Sequence, residues 1–125
     1  MSLATQVYTV TRADLVSYAD ASGDQNPIHQ DEGVATSVGL PGVIAHGMYT
    51  MALAARAVST WFPGAEVVSF ACKFTNPVVV PAGSGTEVEI AGEAKDGEDG
   101  LTTVSLTVTC GGQKVLGMPK AVVRG

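Results

Sequence analysis

An aspartate and a histidine five residues apart are the side chains of this sequence best suited to acid–base chemistry. Asp24 and His29 lie in the segment SGDQNPIH, residues 22–29, which includes a turn-forming glycine and a rigid Asn-Pro step. The only other histidine, His46, opens the segment HGM at the start of a long apolar stretch. A carboxylate, a base and a helix N-terminus are the groups that acid–base catalysis on a polarised carbonyl requires. This combination indicates an enzyme.

Taken singly, each of these residues has an ordinary structural interpretation. An aspartate after a glycine is common in turns and caps, a lone histidine is more often packed than catalytic, and Asn26 before Pro27 is a common turn pair. Asp24, His29 and His46 would make an incomplete metal site, because no second carboxylate or third imidazole has a spacing that completes it. The sequence therefore predicts no metal, and the residues gain meaning only together.

Size and charge narrow the classes of function. The 125 residues predict one domain, residues 1–125. A net charge of −5 and a pI near 4.7, with scattered Lys and Arg residues, argue against binding to nucleic acid. Only 15% of the residues are charged, which favours a protein that buries part of its surface in an oligomer.

Targeting signals and cysteine motifs are missing from the pattern. No apolar run reaches the roughly 18–20 residues of a membrane span. Residues 1–6 (MSLATQ) lack the basic and apolar regions of a signal peptide. Cys72 and Cys110 are isolated, which is typical of reduced thiols. We expect a cytoplasmic protein with no membrane association.

The elements around the Asp24–His29 segment follow from local signals. Residues 6–10 favour a strand. Thr11 and Asp14 form a carboxylate variant of the capping box, which predicts a helix that ends at Ser22-Gly23. Residues 24–30 are predicted to form a loop because Pro27 lacks a backbone donor. A short helix is expected over residues 31–38, with acidic residues in its first turn.

Residues 46–62 form the most apolar helical pattern. Arg56 is the only formally charged residue among these seventeen. A helix that is apolar all round must be buried on nearly all sides, and this one is too short and alanine-rich to span a membrane. Protein is therefore expected to surround it.

The second half of the chain predicts strands. Apolar and polar residues alternate at 68–74, 88–94 and 104–109, and residues 114–123 close the series. Residues 96–100 (DGEDG) and 111–112 (GG) are hairpin turn signals. The pattern favours an α+β protein, in which an antiparallel sheet with one solvated face curls around one buried helix.

Residues 18–51 together resemble the signature of the MaoC-like (R)-specific hydratase and dehydratase family. The resemblance rests on GDxNPxH at residues 23–29 and HGM at residues 46–48, and the segment KFTNPV at 73–78 is similar to the strand that follows the helix in that family. It implies the hot-dog fold, in which an antiparallel sheet wraps around a long central helix, and a dimer with active sites near its interface.

The resemblance also implies a role for each residue. Asp24 and His29 would hold a catalytic water that adds to C3 of a trans-2-enoyl thioester, giving a 3-hydroxyacyl thioester, with dehydration as the reverse. Asn26 and His46 would support the site. The backbone N–H of Gly47, at the positive end of the helix, would bind the thioester oxygen, and a glycine there leaves room for the substrate. No cofactor and no metal is implied.

One position departs from the family pattern. Some members have a serine on the central helix that hydrogen-bonds the catalytic carboxylate, where this sequence has Ala55. Asn26 or backbone amides are then expected to orient Asp24. The acyl carrier, CoA or ACP, stays open, as does the choice between a homodimer and a heterodimer in which this chain is the catalytic subunit. A hot-dog thioesterase is a further alternative.

Overall fold

The computed structural model describes residues 1–125 and contains one six-stranded antiparallel sheet and three α-helices. The elements in chain order are β1 (Ser2–Val10), α1 (Arg12–Ser22), a 3₁₀ helix (Pro27–His29), α2 (Glu32–Ser37), α3 (Gly47–Trp61), β2 (Glu66–Phe74), β3 (Thr86–Asp96), β4 (Leu101–Cys110), β5 (Gln113–Lys114) and β6 (Leu116–Arg124). The strands follow the order β1-β3-β4-β6-β2, and β5 pairs with β4. An antiparallel sheet curved around α3 is the hot-dog arrangement that the sequence resemblance implies.

The first strand and helix largely follow the local signals. The strand β1 begins at Ser2 rather than at residue 6, because residues 2 and 3 also pair with β3 beyond a bulge between Leu3 and Gln6. The capping box at the start of α1 is confirmed: the Thr11 hydroxyl accepts the Asp14 amide, and the Asp14 carboxylate accepts the Thr11 amide. These reciprocal bonds satisfy two donors that the first turn would otherwise leave unpaired.

The segment between α1 and α3 differs in one detail from the expected loop. Residues 27–29 form a turn of 3₁₀ helix, which begins at Pro27 because proline already has a helical φ and needs no backbone donor at this position. The short helix predicted over residues 31–38 is confirmed as α2, and the Asp31 side chain caps it by accepting the Val34 amide.

The helix α3 is not buried on nearly all sides, so that prediction was wrong for the single chain. Its buried residues form one stripe at helical spacing: Thr50, Leu53, Ala54, Ala57 and Val58. The opposite face is exposed although it is apolar, and Met48 is 57% exposed. Apolar composition alone cannot distinguish a core face from a face awaiting a partner, because both exclude charge.

The alternation predicted for the strands holds in the middle of the sheet and fails at its edge. In β3 and β4 buried and exposed residues alternate over most of their length. In β2, the last strand of the sheet, Val67, Val68 and Phe74 are exposed while Phe70 and Cys72 are half-buried. One long edge of β2 therefore has unpaired backbone groups next to apolar side chains.

A short cross-connection places the start of α3 against the sheet. The Ala45 amide donates to the Val78 carbonyl at 2.9 Å, and the Val80 amide donates to the Val43 carbonyl at 2.8 Å. All four of these residues are buried in the main core. The connection fixes the backbone immediately before His46.

The two cysteines and the helix lengths add two plain findings. Cys72 and Cys110 are both free, and burial raises the pKa of the Cys72 thiol, which therefore stays protonated at neutral pH. None of the helices combines the length and the apolar character that crossing a lipid bilayer would need.

Candidate active site

The loop that carries Asp24 is held by its own short-range hydrogen bonds. Gly23 ends α1 with a φ of 82°, a left-handed conformation that glycine adopts without a steric penalty. The Asn26 amide then donates to Asp24 Oδ1 at 3.2 Å, and Asn26 Oδ1 accepts the Ile28 amide at 3.2 Å. Asn26 thus lies in two successive turns, which fix the chain between the end of α1 and Pro27.

The ring of His29 has a defined tautomer. His29 is only 6% exposed, and its Nδ1 lies 2.8 Å from the backbone carbonyl of Ile44. Because a carbonyl oxygen only accepts, Nδ1 carries the proton and donates it. In the neutral ring the lone pair is then on Nε2, so His29 presents a base at that nitrogen.

His46 joins the loop to the central helix. It is the N-cap residue of α3 and is 2% exposed. Its Nε2 lies 3.1 Å from the Asp24 carbonyl oxygen, and its ring stacks on that of His29 with centroids 3.8 Å apart and planes inclined by 24°. Gly47 follows directly as the first residue of α3, and no side chain caps that helix. The first-turn N–H groups therefore point at the site without a side-chain acceptor.

The structure brings Asp24, His29 and His46 together. One carboxylate oxygen and one nitrogen of each ring all lie within 4.8 Å of one another. Two acceptors at such a separation can both bind one water between them, since each hydrogen bond spans about 2.8 Å. The Asp24 carboxylate and His29 Nε2 are suitable acceptors for the two O–H groups of that water.

A metal ion fits the same three residues poorly. An imidazole binds a metal in the plane of its ring, at about 2.0–2.1 Å. Planes inclined by only 24°, with centroids 3.8 Å apart, do not meet near the rings. One ion therefore cannot lie in the plane of both His29 and His46 while they are stacked.

Two concave spaces meet at Gly47. One, of about 280 Å³, is lined by His29, Gly47 and Thr50 together with residues 74–78. The other, of about 350 Å³, is lined by Asp24, His46 and Gly47 among others. The side chain of Phe74 contributes to both and is itself 57% exposed.

Phe74 gives the glycine at position 47 a reason that the sequence did not suggest. A Cβ built on Gly47 would lie 3.0 Å from Cε1 of Phe74. A side chain at position 47 would fit only if the Phe74 ring shifted, so glycine permits the close approach of this ring as well as the expected approach of a substrate. Sequence reasoning missed Phe74 and Thr50 as lining residues, because only folding brings the end of β2 against the first turn of α3; the one local signal was the resemblance of residues 73–78 to the family.

Aromatic side chains pack around His46, on which His29 stacks. Tyr18 contacts the His46 ring edge-on with centroids 4.8 Å apart and the Tyr49 ring at 5.3 Å. Burial, with a smaller effect of the Asp14 charge, raises the pKa of the Tyr49 phenol, which stays neutral at physiological pH. His46 is thus held between the stacked His29 ring on one side and the edge-on Tyr18 ring on another, which restricts its rotation.

Comparisons with known proteins identify the family to which the chain belongs. The model of the MaoC like domain matches residues 2–111, so the chain belongs to the MaoC-like domain family. A solved structure of a MaoC-like dehydratase is 40% identical with a TM-score of 0.93, and the match covers 99% of this chain and 39% of that one. The (R)-hydratase from A. caviae is 25% identical with a TM-score of 0.86, and the match covers 99% of this chain and 93% of that one.

The curated relatives that the chain matches are longer proteins. The 3-hydroxyacyl-thioester dehydratase X of Mycobacterium tuberculosis (strain ATCC 25618 / H37Rv) is 40% identical over 82 residues, which are 66% of this chain and 29% of that protein. Across the first four such relatives the chain spans 25–54% of their length. These matches and the family model establish the family of the chain.

Proposed function

We propose that this chain, as one MaoC-like domain over residues 1–125, catalyses the reversible hydration of trans-2-enoyl thioesters to (3R)-3-hydroxyacyl thioesters. The observation that carries the proposal is the convergence of Asp24 and His29 beside the uncapped N-terminus of α3, within reach of one shared water. The names of the relatives, which include a 3-hydroxyacyl-thioester dehydratase and an (R)-hydratase, support the substrate class and the configuration.

The two side chains activate the water. Water is a poor nucleophile, so it needs a base as its oxygen bonds to C3 of the enoyl group. One proton of the water passes to the Asp24–His29 pair, and the electrons of the C2–C3 double bond move to the thioester oxygen. C2 then takes a proton from the pair, so that one H and one OH have been added and the pair has returned to its starting state.

The start of α3 stabilises the charge that develops on the thioester. In this proposal the Gly47 N–H donates to the thioester oxygen, which carries enolate charge in the transition state. The helix dipole acts in the same sense, because its N-terminal end is positive. One extended substrate would then place its double bond beside Asp24 and His29 and its thioester carbonyl beside Gly47.

A panel of trans-2-enoyl thioesters tests the activity. The purified protein is expected to remove the enoyl absorbance of crotonyl-CoA or of a longer enoyl-CoA or enoyl-ACP, without releasing free thiol, and to give the 3R product on chiral analysis. Release of thiol with the enoyl absorbance retained would instead identify a thioesterase. Comparison of the CoA and ACP members of the panel decides the carrier.

The exposed apolar face predicts a partner of the same kind. We propose that the chain is a homodimer joined along β2 and the outer face of α3. The supporting observations are the unpaired edge of β2 and an apolar groove of about 370 Å³ between Met48, Ala52 and Val67. Pairing of two β2 edges would satisfy their backbone groups and would cover this groove.

A mass measurement tests the dimer. Light scattering on the wild-type protein is expected to give twice the chain mass of 12.7 kDa. Val67→Glu places a charge in the groove and should shift the mass toward the monomer, whereas Val16→Glu, at an exposed valine of α1, should not. A fully active wild-type monomer would contradict the homodimer, and activity only after mixing with a related chain would indicate a heterodimer.

A further inference from the structure

We propose that His46 is the positioning residue that holds Asp24 and His29 in register, through a hydrogen bond to the Asp24 backbone and through stacking on the His29 ring. This inference rests on the proposed hydratase function and explains how the site is organised without a polar side chain at position 55. His46 itself is not expected to touch the reacting atoms.

The contacts of the Asp24 loop single out His46. Ala55 has no polar side-chain atom to offer to the carboxylate. The side-chain bonds of residues 24–26 to Ser22, Asp20 and Gln30 connect the loop to its own neighbours along the chain. The bond between His46 Nε2 and the Asp24 carbonyl is the one hydrogen bond that ties these residues to α3. The position of Asp24 relative to the N-terminus of α3 therefore depends on this hydrogen bond.

The same bond fixes the tautomer of His46. The Asp24 carbonyl can only accept, so Nε2 carries a proton, and in the neutral ring Nδ1 then has the lone pair. That Nδ1 is buried, and no protein group donates a hydrogen bond to it. The hydrogen bond to Asp24 is thus the one that a protein group makes with this ring, so that bond and the stacking on His29 orient it. This hydrogen bond holds Asp24 in position relative to α3.

Stacking gives His46 a second effect, on His29. The two rings are 3.8 Å apart, and the Ile44 carbonyl holds His29 at Nδ1. Together these contacts set both the direction and the tilt of the His29 ring. A turn of the His46 ring would remove this support and let His29 Nε2 tilt away from the water. The Nε2–H of His46 makes the bond to Asp24, and the face of its ring makes the stack on His29.

Three substitutions at position 46 separate positioning from packing. In His46→Gln the side-chain amide can place an N–H near the former Nε2 and donate to the Asp24 carbonyl. In His46→Asn the amide reaches only the former Nδ1 position, and His46→Leu has no donor. We expect kcat of the Gln variant within about fivefold of wild type, because the amide keeps the bond to Asp24 and its planar group can lie against the His29 ring in place of the imidazole. We expect kcat of the Asn and Leu variants to fall about 10²-fold at a nearly unchanged KM, since a misplaced catalytic group costs about that much.

A spectroscopic measurement keeps the inference testable apart from activity. In ¹⁵N-labelled wild-type protein, Nε2 of His46 is expected to resonate as a protonated nitrogen and Nδ1 as an unprotonated one, with His29 showing the opposite assignment. The reverse tautomer at His46, or equal kcat losses in the folded Gln and Asn variants, would overturn the positioning role. If the wild-type protein hydrates no enoyl thioester, the proposed function fails, while the tautomers still decide whether His46 binds the Asp24 carbonyl.

Discussion

Replacing His29 by alanine is expected to lower kcat for enoyl-thioester hydration by about 10²–10⁴-fold, the usual contribution of a positioned acid–base group. The reason is the loss of the Nε2 lone pair, which the hydrogen bond from Nδ1 to the Ile44 carbonyl directs away from that carbonyl. The rate is measured as loss of enoyl absorbance at saturating substrate. Circular dichroism verifies that the variant is folded.

A second variant of His29 separates basicity from position. In His29→Asn the side-chain amide can still donate to the Ile44 carbonyl, but it offers no basic nitrogen. Both variants should be equally slow if His29 is a base. A folded Asn variant with near wild-type kcat would show that the ring serves only to hold the 3₁₀ turn, and the proposed base would have to be found elsewhere.

Neutralising Asp24 is expected to have an effect of the same size. Asp24→Asn keeps the shape of the side chain and an oxygen for the Asn26 amide, while it removes the charge that helps to hold the water. We expect kcat to fall by about 10²–10⁴-fold. The same absorbance assay measures the fall, with the variant compared at matched protein concentration because the active species is proposed to be a dimer.

Asp20→Asn provides the matched control for this charge change. Asp20 is exposed on α1, and its carboxylate contacts the Gln25 side chain rather than the site. Its neutralisation alters the net charge of the protein equally and should leave kcat near the wild-type value. Equal losses in the two variants would mean that the overall field, not the Asp24 carboxylate at the water, explains the effect.

The parts of this fold that follow from local sequence were predictable. The reciprocal bonds of Thr11 and Asp14 need only a spacing of three residues, and the left-handed Gly23 needs only the absence of a Cβ. The alternation of β3 and β4 follows from burial of one sheet face. These signals lie within a few residues of the elements that they define.

The arrangement of the site depends on contacts between distant parts of the chain. The stacking of His29 on His46 depends on the pairing of residues 43–45 with residues 78–80. No local sequence pattern in either segment predicts that pairing. The ring of Phe74 meets Gly47 across the end of the sheet for the same reason. The sequence identified the Asp24 and His29 pair through its motif but not the link from His46 to Asp24.

The open face of α3 is the clearest limit of the sequence pattern. The helix was expected to be surrounded by protein because it has almost no polar face, yet Met48 and Ala52 are exposed in the single chain. An apolar sequence predicts that a surface is buried away from water, but it does not predict whether the same chain or a second chain buries it. A partner along β2 would reconcile the pattern with the structure.

The most direct test of a shared, activated water is hydration of crotonyl-CoA in ¹⁸O-labelled water. We predict that wild-type protein places one ¹⁸O atom on C3 of the intact thioester, and that Asp24→Asn and His29→Ala do so at rates lower by about 10²–10⁴-fold. Label found in a free carboxylate, with thiol released, would contradict hydration and identify hydrolysis of the thioester instead.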